Sequence, residues 1–317
     1  MNIRHSAIWQ LSAIVVLGTV AAITILVSPR FVSAQSTGSN LSISPLTFEL
    51  TANPGDTISN VVRVFNNGDA PMNVAMEIRD FSAAGERGEV TLGTLENQTF
   101  SLTRWVKVEP ESFVLEPRSF KVVDFTVVVP PNAEPGGHYG TVLASLTSST
   151  ESTGAALAQK IGSLLLLQVA GEIHEQLSVR SFEAPSFSEY GPVALTARFE
   201  NAGSVHLKPR GFIVVKNMLG TEVARLDIPQ SNVLPNSVRK LSMNVSDRWL
   251  WGRYDAVLTA IYGTTNEPLS TSVSFWVFPW KVASGVGLAA IVLLSLLFRA
   301  RKRLRLAFKV LVTGDHR

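Results

Sequence analysis

The chain has 317 residues, with 28 Lys and Arg against 25 Asp and Glu, a net charge of +3 and no cysteine. This length accommodates two domains of ordinary size plus terminal extensions. The absence of cysteine excludes disulfide scaffolds, thiolate zinc sites, iron–sulfur clusters and cysteine nucleophiles. Only 17% of the residues are charged and the mean hydropathy is +0.22, which indicates apolar segments outside a globular core.

The N-terminal segment has the pattern of a secretory leader. Residues 11–27 form a nearly unbroken apolar run after Arg4, and the small residues of Val32-Ser33-Ala34 follow it. This pattern predicts a signal peptide over residues 1–34, cut after Ala34. Because the run is long and Arg30 follows it closely, an uncleaved anchor is the alternative.

The C-terminal segment predicts a membrane-spanning helix over residues 281–298. Residues 282–298 carry no charge, Trp276 and Trp280 precede them, and a basic cluster follows, made of Arg299, Arg301, Lys302, Arg303 and Arg305. Aromatic residues at one interface and basic residues at the cytoplasmic one are typical of a single-pass membrane anchor. We therefore expect a cell-membrane protein with its N-terminal domains outside and a basic cytoplasmic tail over residues 299–317. A buried core helix is the alternative, but it would not need the basic cluster.

The positive net charge belongs to the two ends. They hold nine of the 28 basic residues but only one of the 25 acidic residues, so residues 35–281 carry a net charge of −5. An acidic exported part argues against nucleic-acid binding, and the predicted partners are the membrane, cell-wall material and surface proteins.

Small residues recur along one face of the predicted membrane helix. They are spaced four apart in Ala283 and Gly287, and again in Gly285 and Ala289. This spacing permits two helices to approach closely. A homodimer through this helix is one hypothesis, which crosslinking at native expression would test.

The exported part predicts an all-β fold. Short runs rich in Val, Phe, Thr and Leu alternate with turn residues, and in residues 123–129 apolar side chains recur at every second position. Period-two patterning without a helical period is typical of antiparallel sandwiches. We expect two tandem Ig-like β-sandwich domains, over residues 40–148 and 171–278.

An internal repeat supports two copies of one module. Three pairs of segments occur in the same order in both halves: Phe65-Asn66-Asn67-Gly68 with Phe199-Glu200-Asn201-Ala202-Gly203, Leu115-Glu116-Pro117-Arg118-Ser119 with Leu234-Pro235-Asn236-Ser237, and Gly137-His138-Tyr139 with Gly252-Arg253-Tyr254. Leu115 is aligned with Leu234 in this comparison. Each tyrosine is predicted to be a corner residue whose hydroxyl bonds backbone.

The segment between the modules, residues 149–170, is predicted to be a linker followed by a connecting strand. Its first part is rich in Ser and Thr, which is typical of a loop. Its second part contains four consecutive leucines and is too short to span a bilayer. A buried strand that closes the first module or joins the two is therefore expected.

Motifs for catalysis, cofactors and metals are missing from the sequence. There is no phosphate-binding loop, dinucleotide fingerprint, nucleophile elbow, zinc-protease helix or calcium loop. Three carboxylates, Glu109, Glu111 and Glu116, lie close together in sequence, but a proline follows two of them, which favours a solvated turn. We predict no catalytic residues, no cofactor and no metal.

Three tryptophans are candidate anchors for a binding partner. Trp105 lies in the first module, and Trp249 and Trp251 lie close together in the second. Large aromatic side chains dominate many interfaces. The alternative is that they pack into the cores.

Several segments resemble the WxL-interacting proteins of bacterial cell surfaces. These are Ile43-Ser44-Pro45, Asn53-Pro54-Gly55-Asp56-Thr57, Trp105-Val106-Lys107-Val108, Val114-Leu115-Glu116-Pro117 and Pro135-Gly136-Gly137-His138-Tyr139-Gly140 in the first module, and Phe199-Glu200-Asn201-Ala202-Gly203 in the second. The resemblance implies an exported, membrane-anchored protein of two Ig-like domains. Its first domain would associate with peptidoglycan and its second with partner proteins or host ligands.

The sequence therefore predicts a membrane-anchored surface binding or scaffolding protein without catalysis. Recognition would use sandwich surfaces, loop ends or exposed strand edges. One alternative is a chaperone or assembly subunit of a surface complex that acts by strand addition, for which one sandwich should lack a strand. A second is an envelope hydrolase with an unrecognised site, for which carboxylates should converge in a concave pocket.

Overall fold

The computed structural model describes residues 40–93, 100–146 and 159–313, with side chains described to residue 301. The predicted leader, including Ala34, and residues 149–158 of the predicted linker lie outside the described residues. Within them the chain is all-β, with one apolar helix at its C-terminal end. The all-β prediction is confirmed.

The first ten strands form one sandwich. They are β1 (Leu41–Ser44), β2 (Thr47–Ala52), β3 (Thr57–Asn66), β4 (Met72–Ala84), β5 (Glu89–Leu92), β6 (Val106–Glu109), β7 (Ser112–Leu115), β8 (Phe120–Val128), β9 (Gly136–Leu146) and β10 (Lys160–Val169). One sheet has the order β1-β3-β8-β6, and the other has the order β2-β10-β9-β4-β5 with β7 beside β4. Val123, Phe125 and Val127 of β8 point into the core between them and are fully buried, as their period of two predicts.

The four leucines lie in β10, which is an inner strand of the second sheet. This strand pairs antiparallel with β9 and parallel with β2. Leu165 and Leu167 face the sandwich core, whereas Leu166 joins Phe81 and Tyr139 in a separate cluster on the opposite face of the sheet. A strand buried on both faces has no polar side to present, which explains the continuous apolar run.

The next eight strands form a second sandwich. They are β11 (Leu177–Glu183), β12 (Phe187–Ser188), β13 (Val193–Asn201), β14 (Arg210–Asn217), β15 (Glu222–Asp227), β16 (Ser237–Val245), β17 (Gly252–Tyr262) and β18 (Glu267–Val277). The sheets have the orders β11-β13-β16 and β12-β18-β17-β14-β15. Phe199 from the smaller sheet and Phe275 from the larger one are fully buried in the shared core.

The repeat is visible in two matched asparagine turns. Asn66 donates from its side-chain amide to the carbonyls of Ala70 and Leu115 and accepts from the Gly68 amide. Asn201 donates to the carbonyls of Val205 and Val233 and accepts from the Gly203 amide. Both asparagines are buried, so each turn is held by the same three bonds.

This geometry corrects one alignment in the repeat. Leu115 corresponds to Val233 rather than to Leu234, because these two carbonyls accept the equivalent asparagine bonds. The hydroxyls of Ser119 and Ser237 support the same alignment, since each donates to the carbonyl three residues earlier. The turn therefore sets the register, and the shared leucine in the sequence does not.

Direct bonds join the two sandwiches. Glu49 of β2 accepts from Lys208 at 2.6 Å and from Asn232 at 2.8 Å. The turn between β4 and β5 reaches the second sandwich, where Glu86 pairs with Arg198 at 2.7 Å. These contacts cover the outer face of the sheet that holds β10.

The helix α1 (Trp280–Thr313) begins three residues after β18 ends. Over Trp280–Arg301 it has 22 residues with a mean hydropathy of 2.1, and none of its most apolar window is buried. By length and composition it can cross a membrane. The helix continues through the basic cluster to Thr313.

Candidate binding surfaces

The outer edge of β18 is open over most of its length. β18 pairs with β17 throughout, from Glu267 to Val277, but with β12 only at Trp276 and Val277. The Trp276 amide points away from β17, since it donates to the Ser186 carbonyl. Backbone groups of a strand alternate in direction, so the N–H and C=O groups of Ser270, Ser272 and Ser274 point to this same side. No described strand pairs with them.

The side chains of β18 alternate between exposed and more buried positions. Ser270, Ser272 and Ser274 are exposed, whereas Leu269, Thr271 and Val273 are half-buried and Phe275 is buried. Pro268, which has no N–H, faces the same edge and ends it on the side away from the helix, a position where sheets tolerate proline. β11 of the facing sheet passes near this edge without pairing to it. The result is a short edge with small polar side chains.

The equivalent edge in the first sandwich is covered. There β2 lies parallel to β10 over six residue pairs, from Thr47–Leu164 to Ala52–Val169. The strand in the same place in the second sandwich, β12, provides only two pairs. Phe125 in the first core and Phe199 and Phe275 in the second are fully buried. Among the described strands, the second sandwich therefore has an open sheet edge, but its core does not lack a strand.

The candidate anchors Trp249 and Trp251 lie at the end of the second sandwich where the helix begins. Their exposed fractions are 63% and 53%. The Trp251 ring is 5.8 Å from that of Phe278, which lies two residues before the helix. Trp276 and Trp280, assigned from sequence to the membrane interface, are also about half exposed.

Sequence reasoning missed two residues of the same region. Met218 and Leu219 form the turn between β14 and β15, and their exposed fractions are 63% and 85%. The sequence contains a sign of them, because two consecutive apolar residues in the turn before Gly220 are unusual for a solvated hairpin and indicate a contact surface. Phe187, also exposed, lies beside Trp276 in the register of β12 and β18.

Trp105 lies elsewhere and has a packing role. Its ring centroid is 4.3 Å from that of His138, and it packs against the core of the first sandwich. His138 is buried, and burial lowers the pKa of its imidazole. The structure therefore does not bring Trp105 together with Trp249 and Trp251.

The basic residues assigned to the membrane anchor all lie within α1. Arg299 and Arg301 are exposed. The side chains of Lys302, Arg303 and Arg305 lie outside the described residues, although their backbone is helical.

The two repeated tyrosines differ in their partners. The Tyr254 hydroxyl donates to the Trp251 carbonyl at 3.2 Å and accepts from the Trp251 amide at 2.9 Å, as a corner tyrosine should. The Tyr139 hydroxyl instead lies 3.4 Å from Nδ1 of His206, in the other sandwich. Burial raises the pKa of Tyr139 and lowers that of His206. In the first sandwich the corner residue has become part of the contact between sandwiches.

The clustered carboxylates do not converge. Glu109, Glu111 and Glu116 are all exposed on the first sandwich. Within the described residues, no group of three or more His, Asp and Glu side chains is placed to hold a metal ion. The cavity lined by Phe81, Phe100, Tyr139 and Leu234 has a volume of about 80 Å³ and no carboxylate in its lining.

No family model matches the chain, and no curated protein matches it. Among solved structures it is similar to the class 5 fimbriae chaperone CfaA, at 12% identity over 74% of this chain and 99% of that one, with a TM-score of 0.36. It is also similar to the Pseudomonas aeruginosa CupB2 chaperone, at 11% identity over 73% of this chain and 98% of that one, with a TM-score of 0.33. The E. coli chaperone DraB is 14% identical over 74% of this chain and 96% of that one, with a TM-score of 0.34. Similarities this distant do not say what the chain binds.

Proposed function

We propose that the chain is a membrane-anchored binding protein of the cell surface, without catalysis, that holds an extended protein segment along the open edge of β18. The open edge carries the proposal. Its N–H and C=O groups at Ser270, Ser272 and Ser274 pair with no strand in the described part of the chain, and β18 leads within three residues into a helix that can cross a membrane. In this proposal the chain consists of a cleaved leader, two tandem Ig-like domains outside the membrane, one membrane span and a basic tail inside.

The chemistry of this edge fits an extended peptide. A strand that adds to a sheet gains its affinity from main-chain hydrogen bonds and its specificity from alternate side chains. The three exposed serines leave room for a partner strand, because they are small and do not block the backbone groups between them. Edges that proteins protect from such pairing usually carry Lys, a bulge or a covering segment. Beyond Pro268, the described outward-facing stretch of β18 carries no Lys and no bulge, and β11 passes near it without pairing.

The anchor determines where binding takes place. Because β18 ends at Val277 and α1 begins at Trp280, a segment bound to the edge lies close to the membrane surface. The chain would thus hold a surface protein against the cell membrane. Membership of the WxL-interacting proteins and association of the first domain with peptidoglycan remain predictions from the resemblance.

A second candidate function shares the same edge. A chaperone or assembly subunit would also bind by strand addition, but its partner would be released to a growing complex. The open stretch of β18, from Leu269 to Phe275, is compatible with either role. Release distinguishes them: a scaffold keeps its partner, whereas a chaperone exchanges it for another strand added in excess.

The decisive experiment uses proline at one backbone position. Full-length protein in nanodiscs is used to capture proteins from an extract of cell-surface proteins and, separately, isolated cell wall. Ser272→Pro removes the outward N–H and places a ring at the edge, so protein capture should be lost. Ser272→Ala, the matched control, keeps the N–H and should capture as the unchanged chain does.

Three other outcomes are informative. Equal capture by Ser272→Pro and Ser272→Ala would show that the edge of β18 is not the binding site. Retention of neither proteins nor cell wall by the unchanged chain would contradict the binding function itself. Cell-wall retention that is insensitive to both substitutions would place peptidoglycan binding elsewhere, as the resemblance implies for the first domain.

A further inference from the structure

Five exposed apolar residues lie at the end of the second sandwich from which α1 leaves. Their exposed fractions are 63% for Met218, 85% for Leu219, 63% for Trp249, 53% for Trp251 and 40% for Phe278. We name this set the apolar collar. Soluble proteins rarely leave so many large apolar side chains exposed in one region, and such a patch marks a contact with a protein or a membrane.

The register of the larger sheet places these residues at one end of the sandwich. Gly252 pairs with Val277, and Tyr254 pairs with Asn217. The first residues of β17, the last of β18 and the last of β14 therefore lie side by side. Trp249 and Trp251 directly precede β17, Met218 and Leu219 directly follow β14, and Phe278 directly follows β18. All five are thus at the end from which the helix leaves.

The start of the helix is fixed against this end of the sandwich. The Phe278 amide donates to the Ser188 carbonyl at 3.0 Å, and Lys281 in the first turn pairs with Glu189 at 2.7 Å. The Trp251 and Phe278 rings meet edge to face. Because no free linker separates sandwich from helix, the depth of the helix start also fixes the depth of the collar.

We propose that the apolar collar inserts into the headgroup region of the bilayer, so that the second sandwich rests on the membrane rather than standing away from it. The inference rests on the membrane anchoring in the proposed function. Continuity with the helix identifies the occupant, since Trp280 begins the apolar span and the collar lies at the same end of the sandwich. Trp is the residue type that prefers this interface, because its ring is apolar and its N–H can meet the headgroups.

The charges around the collar are consistent with a lipid surface. Arg248 is exposed beside Trp249, whereas Arg253, just beyond Trp251, pairs with Asp255 at 3.3 Å. Long basic side chains can reach lipid phosphates while their stems lie along apolar surface. Asp247 and Glu189 lie in the same end of the sandwich, and Glu189 is neutralised by Lys281. Anionic lipids should therefore be tolerated and not repelled.

The absence of cysteine allows a direct test with single labels. Leu219→Cys, Thr265→Cys and Val286→Cys each carry one environment-sensitive fluorophore in the full-length protein, reconstituted in phosphatidylcholine and phosphatidylglycerol vesicles. Nitroxide quenchers are attached to the lipid headgroup or to the middle of the acyl chain. Thr265 is the matched control, because it is an exposed turn residue at the opposite end of the same sheet. All three sites are exposed, so the substitutions leave the core unchanged.

The label at residue 219 should be quenched from the headgroup and protected from aqueous iodide, at a depth of about 5–10 Å. The label at residue 265 should be quenched by aqueous iodide and not from the headgroup. If the label at residue 286 is not quenched from the acyl chain, the span and the proposed function fail together. If residue 286 is quenched but residue 219 responds only to iodide, the collar proposal alone is overturned. Protection of residue 219 from both quenchers would mean that a protein covers the collar, which also overturns it.

Discussion

The two sandwiches are built on the same turns but differ at one edge. In the first, β2 runs parallel to β10 over six pairs, and in the second, β12 provides only two pairs to β18. β12 runs parallel to β18 and starts at Phe187 opposite Trp276, so the open stretch of β18 lies opposite the residues before Phe187. There the chain is still arriving from β11, which belongs to the facing sheet. An edge left open is a property of the anchored sandwich and not of the repeat.

The largest change in stability is expected from proline substitutions at two neighbouring positions of β18, whose N–H groups point to opposite sides of the strand. The backbone N–H of Thr271 points towards β17. Thr271→Pro therefore removes a hydrogen bond between these strands and should lower the free energy of unfolding by about 3 kcal/mol. Ser272→Pro removes an N–H that points away from β17, and the loss should be below about 1 kcal/mol. Thermal unfolding of both variants measures the difference. Equal losses would mean that the outer N–H of Ser272 is already paired.

The asparagine turns should respond alike in the two sandwiches. Asn66→Ala and Asn201→Ala each remove three hydrogen bonds and leave buried backbone groups without partners. Each should lower the free energy of unfolding by about 2 kcal/mol. Chemical denaturation followed by fluorescence tests this, with Asn67→Ala, at an exposed neighbour, as control. A variant as stable as the unchanged chain would show that its turn is held by other groups.

The sequence predicted the strands and turns because their signals are local. Alternation in β8 and the repeated Asn and Gly turns follow from side-chain period and backbone geometry, which a sequence displays directly. The role of the four leucines in β10 was only partly accessible, since a strand buried on both faces depends on the other sandwich. The open edge of β18 was not accessible at all. It depends on where β12 begins to pair with β18, at Phe187 opposite Trp276, and local patterns in a sequence do not display that register.

The buried histidines should make stability fall in mild acid. Burial lowers the pKa values of His138 and His206 below the ordinary value of 6.5. The unfolded chain therefore binds protons first, so their contribution to stability is complete above about pH 6.5 and is lost as the pH falls towards the folded-state pKa values. We expect the melting temperature to decrease between about pH 6.5 and pH 5.

Single substitutions can assign this decrease. His138→Gln should flatten the pH dependence of the first sandwich, and His206→Gln should flatten that of the contact between the sandwiches. The relevant readout is the slope of melting temperature against pH, since either substitution can change stability at every pH. Unchanged slopes in both variants would show that other groups cause the acid response.

The smallest effect is expected at the polar contact between the sandwiches. The hydrogen bond from Lys208 lowers the pKa of Glu49, so this carboxylate stabilises the fold above its ordinary value of 4.5 and loses that effect as the pH falls. The pair is partly exposed, so Glu49→Gln should cost less than about 1 kcal/mol at neutral pH. Calorimetry should show whether the unfolding transitions of the two sandwiches separate in temperature in this variant. Glu172→Gln, outside this contact, is the control.

Amide hydrogen exchange of the free protein tests the central difference most directly. The Ser270, Ser272 and Ser274 amides should exchange quickly, because no described strand accepts from them. The Leu164, Leu166 and Gln168 amides, which face β2 in the first sandwich, should be protected to the stability of the sheet. Addition of the captured surface protein should slow exchange at the three serines and leave β10 unchanged. Protection of the serine amides in the free protein would contradict the account, because the edge would then already be covered.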